Sequence, residues 1–197
     1  MKYILVGLGN PGPEYSGTRH NTGRIVLAHT LKKFGLDDLK ETAKFKALSA
    51  KGEIAGKDVL ALEPETFMNK SGSSVVQAVK NKKDAERTIV IYDDMDLPLG
   101  NFKISFNRGS GGHNGLESII RALKTREFVR IRVGVSPATP SGKLKKPSGE
   151  EKVIKFLMGK FKPDELDEIK KVSKKIADAI ETIIAEGREK AMGEYNR

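Results

Sequence analysis

The 197-residue chain has no cysteine, which excludes a disulfide framework, a thiolate metal site and a cysteine nucleophile at once. Long apolar runs are missing as well. Stretches such as Ile119-Ile120 and Ile183-Ile184-Ala185 fall far short of the roughly 20 residues a membrane-spanning helix needs. The opening run Met1–Gly7 carries one basic residue and is too short for the apolar region of a secretory signal, so it reads as a first β-strand. There is no internal repeat and no low-complexity segment. Histidine is scarce, at three residues. These absences lead us to expect a cytoplasmic protein that needs neither a metal nor another cofactor and makes no contact with a membrane. Acidic residues are outnumbered, 26 against 36 Lys and Arg, for a net charge of +10. Such an excess suits a polyanionic partner, because each neutralised phosphate releases condensed counterions. A charged surface tuned for solubility or heat is the other reading of the same number.

The length allows one well-filled core and no second large domain. Strand and helix signals alternate along it. Tyr3–Leu8 is a short apolar run, hence a buried strand. Asn21–Phe34 has apolar residues at helical spacing and stops at Gly35. Phe45–Ala50 and Asp58–Leu62 read as strands joined across Ile54–Lys57, and Ser71–Lys80 as a helix with Val75, Val76 and Val79 on one side. Thr88–Tyr92 should be a central strand ending at the acidic cluster Asp93-Asp94-Met95-Asp96. Phe102–Phe106 alternates as a half-exposed strand, Gly115–Leu123 is helical, and Phe128–Val135 is another strand. Ser136–Gly149, with three Pro, two Gly and three Lys, reads as a long flexible loop beside the site. Glu150–Met158 and Pro163–Gly187 follow as helices. The second is the clearest: Pro at its start, acids in its first turns, an apolar stripe from Leu166 to Ile183, and Gly187 at its end. The alternation predicts a single α/β domain over residues 1–197, a twisted, mixed but mostly parallel sheet flanked by helices.

Gly7-Leu8-Gly9-Asn10-Pro11-Gly12 has the form of a dinucleotide-binding fingerprint. That mechanism needs a helix opening inside the motif to offer free N–H groups to a pyrophosphate. Here Pro11 and Pro13 delete two donors, the helix begins only near Asn21, and Asp37 and Asp38 follow a helix stop, not a second strand. The glycines are better explained by a sharply turning loop that lifts Asn10 above the strand end.

Loops expected at the carboxyl ends of the strands bring amides and histidines to one face, where ligands of open α/β sheets bind. They carry Asn10, Thr18-Arg19-His20-Asn21, Thr66-Phe67-Met68-Asn69, Asp93 and Gly109-Ser110-Gly111-Gly112-His113-Asn114-Gly115. The set suits ester hydrolysis by water. His20 can take a proton near neutral pH if an acceptor fixes its tautomer, and Asp93 is the candidate orienter. Ser110 lacks the strand–elbow–helix context of a nucleophilic serine. Asn10, Asn69 and Asn114 can donate to an oxyanion or pair with a peptide backbone without adding charge. Each has a plainer reading: His20 as a capping or surface residue, His29 as structural, His113 as loop packing. The asparagines would then serve turn geometry, and Asp93, Asp94 and Asp96 would be a Mg²⁺ cluster.

Together these segments closely resemble the bacterial peptidyl-tRNA hydrolase family. The matching stretches are Val6–Gly12 with Glu14-Tyr15, Thr18–Gly23, Pro64 with Thr66–Gly72, Tyr92–Pro98, Gly109–Leu116, Phe128–Gly134, and Val153 with Phe156-Leu157. The resemblance implies that His20 acts as general base on water, that Asp93 orients it, and that Asn10 and Asn69 contact the scissile ester. It places Asn114, Tyr15, Met68 and His113 at the peptide, and Lys103, Arg108 and Arg132 at the tRNA, with Arg130 nearby in sequence. Ser105 stands where family members often carry a basic residue, so the phosphate clamp is expected to be weaker or to shift to Lys103 or Arg108. The partner would be a tRNA carrying a peptide, bound by a monomer without a cofactor. The competing expectation is a non-catalytic RNA-binding module on the same fold.

Overall fold

The computed structural model describes residues 2–36 and 38–196; Met1, Asp37 and Arg197 lie outside the described residues. Seven strands form one sheet in the order β2-β3-β4-β1-β5-β7-β6. They are β1 (Tyr3–Gly7), β2 (Lys40–Thr42), β3 (Ala47–Ile54), β4 (Lys57–Pro64), β5 (Thr88–Pro98), β6 (Phe102–Phe106) and β7 (Val129–Ser136). The central four, β4, β1, β5 and β7, pair in parallel. Antiparallel pairings add β3 and then β2 at one edge and β6 at the other. The expected mixed, mostly parallel α/β sheet is the one observed.

Among the described residues, seven α-helices flank it: α1 (Thr22–Lys33), α2 (Gly72–Ala78), α3 (Lys82–Glu86), α4 (Asn114–Leu123), α5 (Glu150–Met158), α6 (Pro163–Glu186) and α7 (Arg188–Tyr195). Both faces of the sheet are covered, as the near-continuous apolar central strands require. Leu5 of β1 and Ile89 and Ile91 of β5 pack with Leu27, Ile176 and Ile180 on the α1–α6 side. Ile4, Val6 and Val90, their side chains pointing the other way, pack with Val75, Leu116 and Ile119 on the α2–α4 side. The α6 stripe is buried from Ile169 to Ile184, while Lys170, Lys171, Lys174 and Lys175 stay exposed.

The structure departs from the sequence reading in instructive places. β5 does not end at the acidic cluster but runs through it to Pro98, because its pairing with β7 continues past Asp93 and Asp94 and resumes at Pro98 after a register shift. Val76 is half-exposed, not part of the buried stripe of α2. Gly7 and Gly9 are not turn residues. They let α1 pass closely over β1, with Gly23 facing them: a Cβ on Gly23 would lie 2.2 Å from the Ile91 carbonyl and 2.5 Å from Leu8 N. That close crossing seats the start of α1, and with it His20, directly over the ends of β1 and β5.

Candidate active site

His20 sits in a short 3₁₀ turn, Arg19–Asn21, that feeds α1. Its neighbour Arg19 fixes this turn. The guanidinium donates to the Gly159 and Lys160 carbonyls, at 3.2 Å each, and to both oxygens of Glu165, at 3.0 and 2.8 Å. It also lies 4.6 Å from the Phe156 ring centroid. Glu165 accepts from the Lys162 N–H at the start of α6, so one carboxylate serves the helix cap and the histidine turn together.

Asp93, on β5, is 2% exposed and receives two histidines. His20 Nδ1 is 3.0 and 3.1 Å from its two oxygens, and His113 Nε2 is 3.0 Å from Oδ1. Burial alone would push the Asp93 carboxyl up, but the two imidazoles win and hold it below the ordinary carboxylate range. An ionised carboxylate only accepts, so both facing nitrogens carry hydrogen. The two histidines then differ. His113 Nδ1 accepts the Leu116 N–H at 3.3 Å and caps α4, so both of its nitrogens are in use. His20 keeps Nε2 free of partners among the described residues. Burial disfavours the charged imidazolium of His20, yet adjacent Asp93 outweighs this and raises its pKa above the usual value.

The same ligand atoms of His20, Asp93 and His113 lie within 4.8 Å of one another, a set that could also hold a cation. Two N–H donors pointing at one carboxylate already satisfy all three groups. The alternative Mg²⁺ cluster of Asp93, Asp94 and Asp96 is not assembled: Asp94 accepts from Arg132 Nε at 2.7 Å and Asp96 from Lys146 at 2.6 Å.

The asparagines divide. Asn10 is buried, and its Oδ1 accepts the Met68 N–H at 2.8 Å, which leaves Nδ2 as its remaining donor. Asn21 grips the Asn10 backbone from both sides, accepting from its N–H and donating to its carbonyl, each at 2.9 Å. The sequence offered Asn21 only as a motif member; its signal was its position beside His20. Asn69 and Asn114 are exposed. An open cavity of about 1130 Å³ is lined by His20, Asp93, His113 and Asn114, together with Lys103, Arg108 and Arg132. Asn10, Met68, Asn69 and Tyr15 lie outside its lining. They border the site from the other side, where Tyr15 meets the exposed Phe67 edge-on at 6.5 Å. The two halves meet at Gly115, where a Cβ would stand 2.6 Å from Met68 Sδ and 3.1 Å from His113 Cε1.

Among the basic residues, Arg132 commits Nε to Asp94 and has no partner on its terminal nitrogens among the described residues. Arg130 is different from the expected phosphate neighbour. It is fully buried, donates to the Arg108 and Gly109 carbonyls, and stacks 4.7 Å from the Phe128 centroid. It anchors the loop that carries His113.

Comparison with known proteins gives one consistent answer. The family model described as peptidyl-tRNA hydrolase matches residues 4–197. A peptidyl-tRNA hydrolase of Thermoanaerobacter sp. (strain X514) is 42% identical over 195 residues, covering 98% of this chain and 99% of the relative. That of Syntrophotalea carbinolica is 39% identical, covering 98% and 96%. The crystal structure of the peptidyl-tRNA hydrolase from Acinetobacter baumannii superposes with a TM-score of 0.87 at 32% identity, covering 98% of this chain and 94% of that one. The chain belongs to the peptidyl-tRNA hydrolase family.

Proposed function

We propose that the family reaction, hydrolysis of the ester joining a peptide to its tRNA, is run here by His20 and a water molecule. The observation that carries this reading is the split between the two histidines: only His20 has an unused ring nitrogen beside a carboxylate that fixes its tautomer. His20 Nε2 takes a proton from water as the oxygen attacks the ester carbonyl. Asp93 steadies the imidazolium that results. Asn10 Nδ2, aimed by the Met68 N–H on its carbonyl, donates to the oxyanion, and exposed Asn69 helps hold the ester. Collapse of the intermediate breaks the bond to the ribose oxygen, which takes the proton back from His20. The products are a peptide carboxylate and a free tRNA terminus, and the balance needs no cofactor.

Asn114 and the Tyr15–Phe67 edge, with Met68 and His113 in the wall, contact the peptide. A neutral amide-lined site pairs with an acylated α-nitrogen and penalises a bare ammonium, so unblocked aminoacyl-tRNA is a poor substrate. The free terminal nitrogens of Arg132, with Lys103 and Arg108 on the same cavity wall, take tRNA phosphate. Every group in this scheme comes from one copy, so a monomer suffices, working in the cytoplasm where peptidyl-tRNA is made. A non-catalytic RNA-binding module has no need of a buried ionised Asp93, and this reading is not favoured.

The test uses N-acetyl-aminoacyl-tRNA and the matching unblocked aminoacyl-tRNA, with EDTA present, beside His20→Ala. Expected are release of the acetyl-amino acid, little release from the unblocked ester, and a loss of about 10²-fold or more in the variant. Binding without release would replace hydrolysis by the binding-module reading. Equal cleavage by His20→Ala would remove His20 from the mechanism.

A further inference from the structure

Arg24 is the third residue of α1, and its side chain runs beneath the Leu8-Gly9-Asn10 segment. Its backbone N–H donates to the Leu8 carbonyl at 3.2 Å. Its Cδ and Cγ fill the space over Gly9, where a Cβ would stand 2.8 and 2.9 Å from them. The guanidinium then reaches the end of β4, donating to the Pro64 carbonyl and to Glu65 Oε1 at 2.8 Å, with Glu63 Oε2 3.9 Å from its other terminal nitrogen. The Arg24 side chain is 14% exposed, and its Nε is buried without a partner. A surface ion pair would not account for such placement, since burying a guanidinium is costly unless geometry is gained.

The two segments clasped by Arg24 are those that lead to the asparagines: Leu8-Gly9 into Asn10, and residues 63–65 into Met68 and Asn69. Beyond the parallel β1–β4 ladder, which reaches Val6 and Leu62, the described residues join them by the Met68 N–H to Asn10 Oδ1 bond that aims the Asn10 amide. We infer that Arg24 is a positioning residue for Asn10, setting the distance between the Gly9-Asn10 segment and the end of β4. The inference rests on the reading of Asn10 as the oxyanion donor. Arg24 touches no substrate; it acts by holding the Gly9-Asn10 segment while the Asn10 amide meets developing charge.

A double-mutant cycle on hydrolysis of N-acetyl-aminoacyl-tRNA tests this, with Arg24→Met, Asn10→Ala and the pair, and urea unfolding of each. Arg24→Met should lower kcat about tenfold while KM moves less than about twofold, as for a small misplacement of a group used in the transition state. In the Asn10→Ala background the same change should cost less than about twofold. Arg24→Lys, which keeps the stem over Gly9 and the charge near Glu63 but not the fork, should recover part of the loss. It carries the cycle if Arg24→Met does not fold. Equal losses with and without Asn10, or a shifted unfolding midpoint with unchanged kcat, would overturn the inference. Full activity of Asn10→Ala alone would bring down the Asn10 reading itself, and the inference with it.

Discussion

Two imidazoles share the Asp93 carboxylate, yet they differ: His113 spends its second nitrogen on a helix cap, and the proposed mechanism makes His20 the base. That asymmetry has a pH signature. His20 must be neutral to accept a proton, and its pKa is raised by Asp93. The acidic limb of kcat/KM should therefore titrate above the ordinary imidazole value of about 6.5. Asp93→Asn should move that limb downward and lower the rate by on the order of 10²-fold or more, as loss of the tautomer-fixing group does in other hydrolases. His113→Ala should cost less than His20→Ala. Rate profiles from pH 5 to 9 check all three, and comparable losses from both histidine variants would sink the assignment of roles. The placement of His20 beside Asp93 was legible in the sequence, because a histidine just before a helix and an acid just after the apolar run Thr88–Tyr92 were both expected at the carboxyl edge of the sheet. Arg130 was not: its charge suggested phosphate, while its burial under the 108–109 carbonyls is a tertiary fact that no local pattern carries.

At the level of elements, long periodic segments such as α6 were readable from spacing, and short or polar ones were not. β2 is three residues with two charged among them, α3 is five residues, and α7 buries only Ala191. Each is held by neighbours rather than by its own pattern. The end of β4 shows what such context costs. Glu63 is 7% exposed there, facing Arg24, with Glu65 nearby. Burial lifts its pKa to about 7, against partial relief from Arg24. A carboxyl raised in the folded state binds its proton more tightly than the unfolded chain does, so this residue lowers stability as pH rises through that range. The penalty is absent below the ordinary carboxylate pKa and complete above about 7. Glu63→Gln mimics the protonated form. It should unfold like the parent at pH 4.5 and be more stable at pH 8 by roughly 1–3 kcal/mol in urea titrations. The same difference at both pH values would show that Glu63 is not titrating.

Over the whole molecule, a net charge of +10 pulls any nucleic acid toward the protein, but much of that charge is internally spent. Lys170 and Lys171 pair with Asp167 and Glu168 one turn back, and Lys33 with Asp178 and Glu181. Arg19, Arg24 and Arg130 are structural ties. The cationic groups that line the cavity beside His20 are fewer, and Lys103 and Arg132 face each other there across the β6–β7 pairing. If the phosphates are held at this wall, the two residues should matter out of proportion to the total charge. Lys103→Ala and Arg132→Ala should each reduce the slope of log K against log salt for tRNA binding by about one unit. Lys171→Ala, on the remote face of α6, should leave the slope unchanged. None of the three should alter hydrolysis of a short acylated-nucleotide ester that lacks the tRNA body. Binding titrations between low and physiological salt separate the cases. If all three variants weaken binding alike, the excess charge works as a diffuse field, and the cavity wall is not a phosphate site.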